Sequence, residues 1–269
     1  VKFDGRFFDE FRTAVSGVEY EHTEFERPGE PGTVFTNDGV EGRAELLHEH
    51  ENGVKGSWGV QASRRDFAAV GDEAFIAPTL TEQAGVFVFE QVEVGGVGLE
   101  GGLRFDKVEL DNATFGMRDF ETFNASAGVH GHVTEALFLG ASVSRTERAP
   151  TDVELFADGP HLATSQYERG DPRLDTETGI NLELTARWEA GPFEAGVNIY
   201  RFDFDDFIYL SPTGGEEDGL PVFLAVPLHD ALKTTSYLNA YFDMVSALTT
   251  TGANIFDDPA RLALPLHLW

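Results

Sequence analysis

Apolar and polar residues alternate along much of this chain, most regularly in residues 180–199. The apolar positions before the turn at residues 190–192 are Ile180, Leu182, Leu184, Ala186 and Trp188, with other side chains between them. Residues 193–199 repeat the pattern after the turn. Successive side chains of a β-strand point to opposite faces of a sheet, so this pattern predicts two strands joined as a hairpin. No amphipathic helix of comparable strength is visible in the sequence.

Turn signals divide the rest of the chain into further strands. Asn52-Gly53 suits a tight hairpin turn, and Gly95-Gly96 separates two alternating segments. The other predicted strands are residues 11–24, 40–51, 54–67, 85–94, 98–108, 123–130 and 137–143. Residues 26–38 and 68–83 contain Gly and Pro and are predicted as loops. The sequence therefore predicts an all-β chain of roughly ten to twelve strands, since such segments are about ten residues long.

One long polar stretch, residues 147–177, interrupts the alternation. A connection of about thirty residues far exceeds the usual loop between strands, and loops that long are usually functional or disordered. This one carries Pro, Gly, aromatic residues and paired charges. We therefore predict a folded, functional loop.

The alternation fits two architectures, a soluble sheet with an apolar core or a transmembrane β-barrel with a lipid-facing apolar surface. Three features favour an antiparallel transmembrane β-barrel, partial or shortened, with long extracellular loops. Its polar faces mix charges with small residues, short turns alternate with long loops, and Trp188 and Phe193 flank a short turn. In such a barrel, the lipid-facing side chains are Leu182, Leu184, Val197 and Ile199. Glu183 and Asn198, which alternate with them along the strands, face the lumen.

Composition narrows the possible partners. The 269 residues include 19 basic and 47 acidic side chains, a net charge of −28, which argues against a nucleic-acid partner. So negative a chain attracts cations, although solubility or adaptation to salt would explain it equally well. Cysteine is absent, so any metal site would use nitrogen and oxygen ligands. No hydrolase motif is visible, and we predict that the chain is not an enzyme.

Several motifs resemble those of TonB-dependent outer-membrane receptors, and within that family the branch associated with zinc uptake. They are Ser144-Arg145-Thr146-Glu147-Arg148-Ala149-Pro150, Glu154-Leu155-Phe156, Ala157-Asp158-Gly159-Pro160-His161-Leu162-Ala163-Thr164, Tyr167-Glu168-Arg169-Gly170-Asp171, Asp205-Asp206-Phe207-Ile208-Tyr209, Tyr20-Glu21-His22-Thr23-Glu24 and Gly252-Ala253-Asn254-Ile255-Phe256-Asp257. The resemblance implies a barrel in the outer membrane of a Gram-negative bacterium, in contact with outer-membrane lipid. It also implies capture of a metal ion, zinc, by extracellular loops.

The same resemblance predicts that this chain has fewer strands than the family's barrels and lacks their plug domain. The family combines a plug domain with a barrel of about twenty-two strands, which is more than this sequence predicts. We expect residues 1–269 to form one receptor-like barrel region without a plug domain. TonB would then act only through a plug that this region does not contain.

Within the long loops the resemblance implies that His161, Asp158 and Glu73 bind the metal ion. Nitrogen and carboxylate oxygen are the donors zinc takes where thiolates are absent. The alternative is that His161 caps a turn and Glu73 is solvated. Zinc is expected as cargo, with no cofactor. Two other functions stay open, a receptor for a siderophore or haem, and a soluble acidic all-β binding protein.

Overall fold

The computed structural model describes residues 2, 7–27, 29–71, 74–161 and 164–227. The strands are β1 Glu10–Val18, β2 Glu21–Arg27, β3 Glu30–Glu49, β4 Val54–Gly71, β5 Thr79–Val94, β6 Val97–Asn112, β7 Gly116–Thr134, β8 Leu137–Arg148, β9 Asp158–His161, β10 Gln166–Arg169, β11 Glu177–Ala190, β12 Phe193–Asp205, β13 Ile208–Glu217 and β14 Leu220–Pro227. One short helix, α1, covers Asp152–Phe156. Within these ranges, no helix is long and apolar enough to cross a membrane.

Ten strands form one large antiparallel sheet. Its order is β1-β3-β4-β5-β6-β7-β8-β11-β12, and β2 pairs with the first half of β3. Short turns at residues 51–53, 95–96, 135–136 and 191–192 join neighbouring strands at one end of this sheet. The longer connections lie at the other end, which we call the long-loop end. The predicted all-β, antiparallel fold is confirmed.

A second sheet of four strands lies within the long connections. Its order is β13-β14-β10-β9, and β10 runs parallel to β14. Strands β9 and β10 and helix α1 belong to the polar stretch between β8 and β11. The prediction of a folded loop is therefore confirmed, while the strands inside it were not predicted.

The two faces of the large sheet differ in the way the alternation predicts. Leu182, Leu184, Val197 and Ile199 are 48%, 56%, 58% and 61% exposed. Glu183 and Asn198 lie on the opposite face, because they alternate with these residues along β11 and β12. In a soluble sheet protein the apolar face would be buried, so this exposure argues against the soluble alternative and for a lipid-facing surface.

The buried core lies at the long-loop end, on the polar face of the large sheet. Val108, Leu110 and Phe120 alternate with the exposed apolar positions of β6 and β7 and pack in one cluster with Leu155 and Phe156 of α1. Other members of this cluster are Phe35, Ala69, Phe75, Ile76, Ala157, Leu174, Ile208 and Ala225. Since the polar face of a membrane barrel is its interior, the long loops fold inward over that end of the sheet.

Two loop predictions were wrong. Most of residues 26–38 belong to β3, because this segment pairs with β2 on one side and β4 on the other. The predicted loop at residues 68–83 is shorter, since β4 continues to Gly71 and β5 begins at Thr79. Each segment has a residue buried in the core, Phe35 in the first and Ala69 in the second. This burial stabilises the extended backbone despite nearby Gly and Pro residues.

Candidate functional site

Helix α1 begins the structured part of the long connection. Thr151 is its N-cap: the Glu154 backbone N–H donates to Thr151 Oγ1 at 3.2 Å, and the Thr151 N–H donates to Glu154 Oε2 at 2.7 Å. This reciprocal capping box satisfies two donors that a helix start otherwise leaves unpaired. Leu155 and Phe156 are 0% and 1% exposed, so the cap fixes a helix that is anchored in the core.

Arg148, the last residue of β8, joins α1 to the start of β11. Its Nη1 and Nη2 donate to Glu154 Oε2 and Oε1 at 2.8 and 3.0 Å. Its Nε and Nη2 donate to Glu177 Oε1 and Oε2 at 3.2 and 2.9 Å. A guanidinium suits this role because its fork of donors fits carboxylates in pairs. Arg148 therefore joins the two ends of the connection through Glu177 and fixes helix α1 between them through Glu154.

The hairpin of β9 and β10 carries the predicted metal ligand His161. The register pairs His161 with Gln166 and Gly159 with Glu168, so His161 and Glu168 lie on the same face. His161 Nδ1 is 2.8 Å from Glu168 Oε1. The Glu168 side chain is only 7% exposed and that of His161 is 23% exposed. The imidazole is therefore partly exposed, and one of its nitrogens contacts a buried carboxylate.

An aromatic ring from another loop also contacts His161. Phe75, in the connection between β4 and β5, stacks on the imidazole with ring centroids 4.7 Å apart and planes 9° apart. The Asp158 N–H donates to the Phe75 carbonyl oxygen at 2.7 Å. A Cβ on Gly159 would lie 2.7 Å from the Phe75 Cα, so only glycine permits this approach. Two long connections thus meet at His161.

Asp158 lies on the opposite face of β9 from His161, since the two residues are separated by an odd number of positions on the strand. Its Oδ1 accepts hydrogen bonds from Tyr167 Oη at 3.2 Å and Arg169 Nε at 3.3 Å. Arg169 Nη2 also donates to Glu217 Oε2 at 2.6 Å, across the small sheet. The fold brings His161 together with Glu168. On the other face of the hairpin, it brings Asp158 together with Arg169.

The third predicted ligand, Glu73, lies outside the described residues. Phe75, two positions later in sequence, places the following part of that connection against His161. Within the described ranges, no three His, Asp or Glu side chains are arranged to hold a metal ion together. Sequence reasoning missed Glu168. Glu168 belongs to the motif Tyr167-Glu168-Arg169-Gly170-Asp171, which could have drawn attention to it. Its pairing with His161, however, depends on the register of the β9–β10 hairpin.

Residues 3–255 match the family described as "TonB dependent receptor-like, beta-barrel". The chain belongs to this family of TonB-dependent receptor barrels. The family consists of transport receptors of the Gram-negative outer membrane rather than enzymes, so the outer-membrane location predicted for this chain is confirmed.

Individual similar proteins differ in the cargo that their names give. The chain is 27% identical over 187 residues to a ferric enterobactin receptor of Pseudomonas aeruginosa, covering 57% of this chain and 24% of that protein. Its fold resembles the solved copper transporter OprC, with a TM-score of 0.68 at 15% identity, covering 84% of this chain and 40% of the transporter. It also resembles the haemophore receptor HasR of Serratia marcescens, solved with its haemophore and haem, with a TM-score of 0.64 at 15% identity, covering 83% and 41% of the two chains. The chain thus spans about a quarter to two fifths of the length of these proteins.

Proposed function

We propose that this chain is the barrel region of an outer-membrane receptor that captures a metal ion, zinc, at its long-loop end. The observation that carries the proposal is the position of His161. It lies in the folded loops above the polar face, partly accessible and held by Glu168 and Phe75. An imidazole nitrogen is a preferred ligand for zinc in a chain without cysteine.

Electrostatics supports a cationic cargo. With a net charge of −28, the chain raises the local concentration of cations, and this effect is strongest where loops and walls form a concave mouth. An anionic cargo would meet the opposite field. Glu73 and Asp158 stay predicted contributors, Glu73 as a ligand from the second loop and Asp158 from the far face of β9.

Capture by the loops is the step that this chain would perform. Energised transport through TonB would need a plug domain as well. A site with few protein ligands leaves coordination positions to water, so zinc binding by the chain alone is expected to be weak. Outer-membrane lipid would contact the apolar face described above.

Calorimetric titration of zinc into the folded chain in detergent micelles tests this proposal. His161→Ala should abolish or strongly weaken binding, and Asp158→Ala should have a smaller effect. His132→Ala is the matched control, because His132 lies on β7 near the short-turn end. Equal affinity of the native chain and His161→Ala would remove His161 from the site and refute the proposal.

A second candidate is a receptor for a siderophore or haem. The observation that favours it is the 27% identity to a ferric enterobactin receptor. Fluorescence titration with ferric enterobactin, and absorbance titration with haem, distinguish the two candidates. Saturable binding of either compound by the His161→Ala variant, without zinc binding by the native chain, would favour the second.

A further inference from the structure

We propose that the apolar face of the large sheet carries a binding site for a phospholipid with an ammonium headgroup, held by Glu90 and Trp58. The site lies near the short-turn end of the sheet, away from the loops around His161. Its basis is a polar cluster in an otherwise apolar surface. Glu90 Oε1 accepts a hydrogen bond from Trp58 Nε1 at 2.6 Å, and Glu90 Oε2 lies 2.9 Å from His48 Nε2.

The strand register places this cluster on the lipid-facing side of the sheet. Residues that pair directly across neighbouring strands share one face. Glu90 and His48 belong to the same cross-strand row as Leu182, one of the lipid-facing residues. The other members of this row are Gly56, Gly101, Ala127 and Val143. Ionisable side chains are costly where a surface meets hydrocarbon, and residues retained there usually have a function.

Two glycines beside Glu90 shape the cluster. Gly56 separates Glu90 from His48 in the row, and a Cβ at Gly56 would lie 2.7 Å from Glu90 Oε2. Glycine at this position therefore lets the carboxylate reach across β4 to His48. Gly101, on the other side of Glu90, adds no side chain. The Glu90 side chain is 39% exposed and that of His48 is 1% exposed, so a ligand can reach Glu90, while His48 is a positioning residue behind it.

Aromatic rings surround the carboxylate. The rings of Phe7 and Phe8 lie 5.4 and 5.8 Å from the His48 ring, centroid to centroid. The same two rings lie 5.8 and 5.5 Å from Trp58, which is 45% exposed. Aromatic faces attract cations, tryptophan most strongly, and tryptophan is enriched where a membrane meets water. A carboxylate beside an exposed indole is therefore suited to an ammonium group.

An apolar groove continues from the cluster toward the long-loop end. It encloses about 510 Å³, and Trp58 lines the end nearest Glu90, in the adjacent cross-strand row. Other lining side chains are Leu46, Val60, Val86, Leu103 and Phe105. A headgroup at Glu90 would place an acyl chain in this groove, pointing from the short-turn end toward the middle of the bilayer. The polar cluster and the groove thus match the two parts of one lipid molecule.

Charge decides which headgroup fits the cluster. An ordinary glutamate is ionised at neutral pH, so it attracts an ammonium group and repels an anionic headgroup. A carboxylate has about four acceptor positions, so Glu90 can accept from an ammonium N–H while it keeps its contacts with Trp58 and His48. A quaternary choline headgroup has no N–H to donate and should bind less well.

Lipid binding to the folded chain in detergent micelles tests the proposal. Native mass spectrometry counts the lipids retained when phosphatidylethanolamine, phosphatidylcholine or phosphatidylglycerol with the same acyl chains is titrated into the micelles. The native chain should retain phosphatidylethanolamine most strongly. Glu90→Gln should weaken this binding by about tenfold, as expected for loss of a charge-assisted hydrogen bond, and should remove the preference over phosphatidylglycerol.

Two further variants make the result specific to the site. Trp58→Phe keeps an aromatic ring without the indole N–H and should give an intermediate loss. Glu93→Gln is the matched control, because it removes the same charge three positions along β5, on the opposite face. It should retain lipid as the native chain does. Circular dichroism should show native strand content in every variant.

Three outcomes would overturn the proposal. Equal retention of the three lipids by the native chain would show that no headgroup is selected. An unchanged preference in Glu90→Gln, or an equal loss in Glu93→Gln, would show that Glu90 does not hold the headgroup. A lipid-free dimer in the same spectra that is lost in Glu90→Gln would show instead that a second copy of the chain covers this face.

Discussion

At the residue scale, the long-loop end depends on carboxylates whose partners are distant in sequence. Glu154 and Glu177 are six and 29 positions from Arg148, yet both share its guanidinium. The sequence motif identified Arg148 and Glu154 as characteristic residues, but not their contact with Glu177. Likewise, the sequence pointed to His161 with Asp158 and missed Glu168, because the pairing of His161 with Glu168 depends on the register of β9 and β10.

Stability should depend on pH through Glu154. Burial raises the pKa of this carboxyl, but hydrogen bonds from Arg148 and from the Thr151 N–H outweigh it, so the pKa lies below its ordinary value of 4.5. A group whose pKa is lowered by folding stabilises the fold above its unfolded pKa. That stabilisation is lost as the pH falls below 4.5 and passes through the folded pKa.

The measurement is urea unfolding of the chain in micelles between pH 3 and pH 7, a range of about four units around the ordinary pKa. Glu154→Gln should be less stable than the native chain at neutral pH, and the difference should shrink as the pH falls. Asp38→Asn, a change at an exposed carboxyl on β3, serves as the control. A Glu154→Gln difference that is constant across the range would contradict the prediction.

At the scale of elements, alternation and turn chemistry predicted most hairpins of the large sheet. The turns at Asn52-Gly53, Gly95-Gly96 and Gly191 lie where the sequence placed them, and these glycines have positive φ angles. The errors arose where strands extend beyond the alternating segments, since pairing on both sides of β3 stabilises residues that favour turns. The small sheet could not be predicted, because its parallel pair joins β10 to β14, more than fifty residues apart.

Gly170 tests how closely β10 and α1 pack. A Cβ at this position would lie 2.5 Å from the Leu155 carbonyl carbon and 2.6 Å from the Phe156 nitrogen. These atoms are helix backbone and cannot move aside singly, so Gly170→Ala should displace α1. We expect a loss of about 1–3 kcal/mol in the free energy of unfolding, as for other overpacked sites.

Urea unfolding and proteolysis of the long connection measure this effect. Gly42→Ala is the control, because a Cβ at Gly42 meets nothing within 4 Å. Equal stability and equal protease resistance in the two variants would show that α1 does not pack against β10 as described.

At the scale of the whole molecule, the apolar face of the large sheet is expected to contact lipid. The chain contains no cysteine, so single labels can be introduced without other changes. Nitroxide labels at Leu184→Cys and at Thr185→Cys, its neighbour on the opposite face, should report different surroundings in micelles. The label at position 184 should be accessible to oxygen, which concentrates in the apolar phase, and the label at 185 to a water-soluble nickel complex. Identical profiles at the two positions would contradict a lipid-facing surface.

The edges of the large sheet determine how this chain behaves in a bilayer. Among the described residues, the sheet ends at β1 and β12, and the outer edge of β1 carries only a bridge between Lys2 and Glu10. Unpaired backbone N–H and C=O groups are costly in hydrocarbon, where water cannot satisfy them. We therefore expect the isolated chain to insert poorly into lipid vesicles and to migrate on gels equally with and without heating. The copper transporter OprC, which this chain resembles in fold, is the protein for comparison. Heat-dependent migration of this chain, together with protease protection in vesicles, would show instead that its sheet closes.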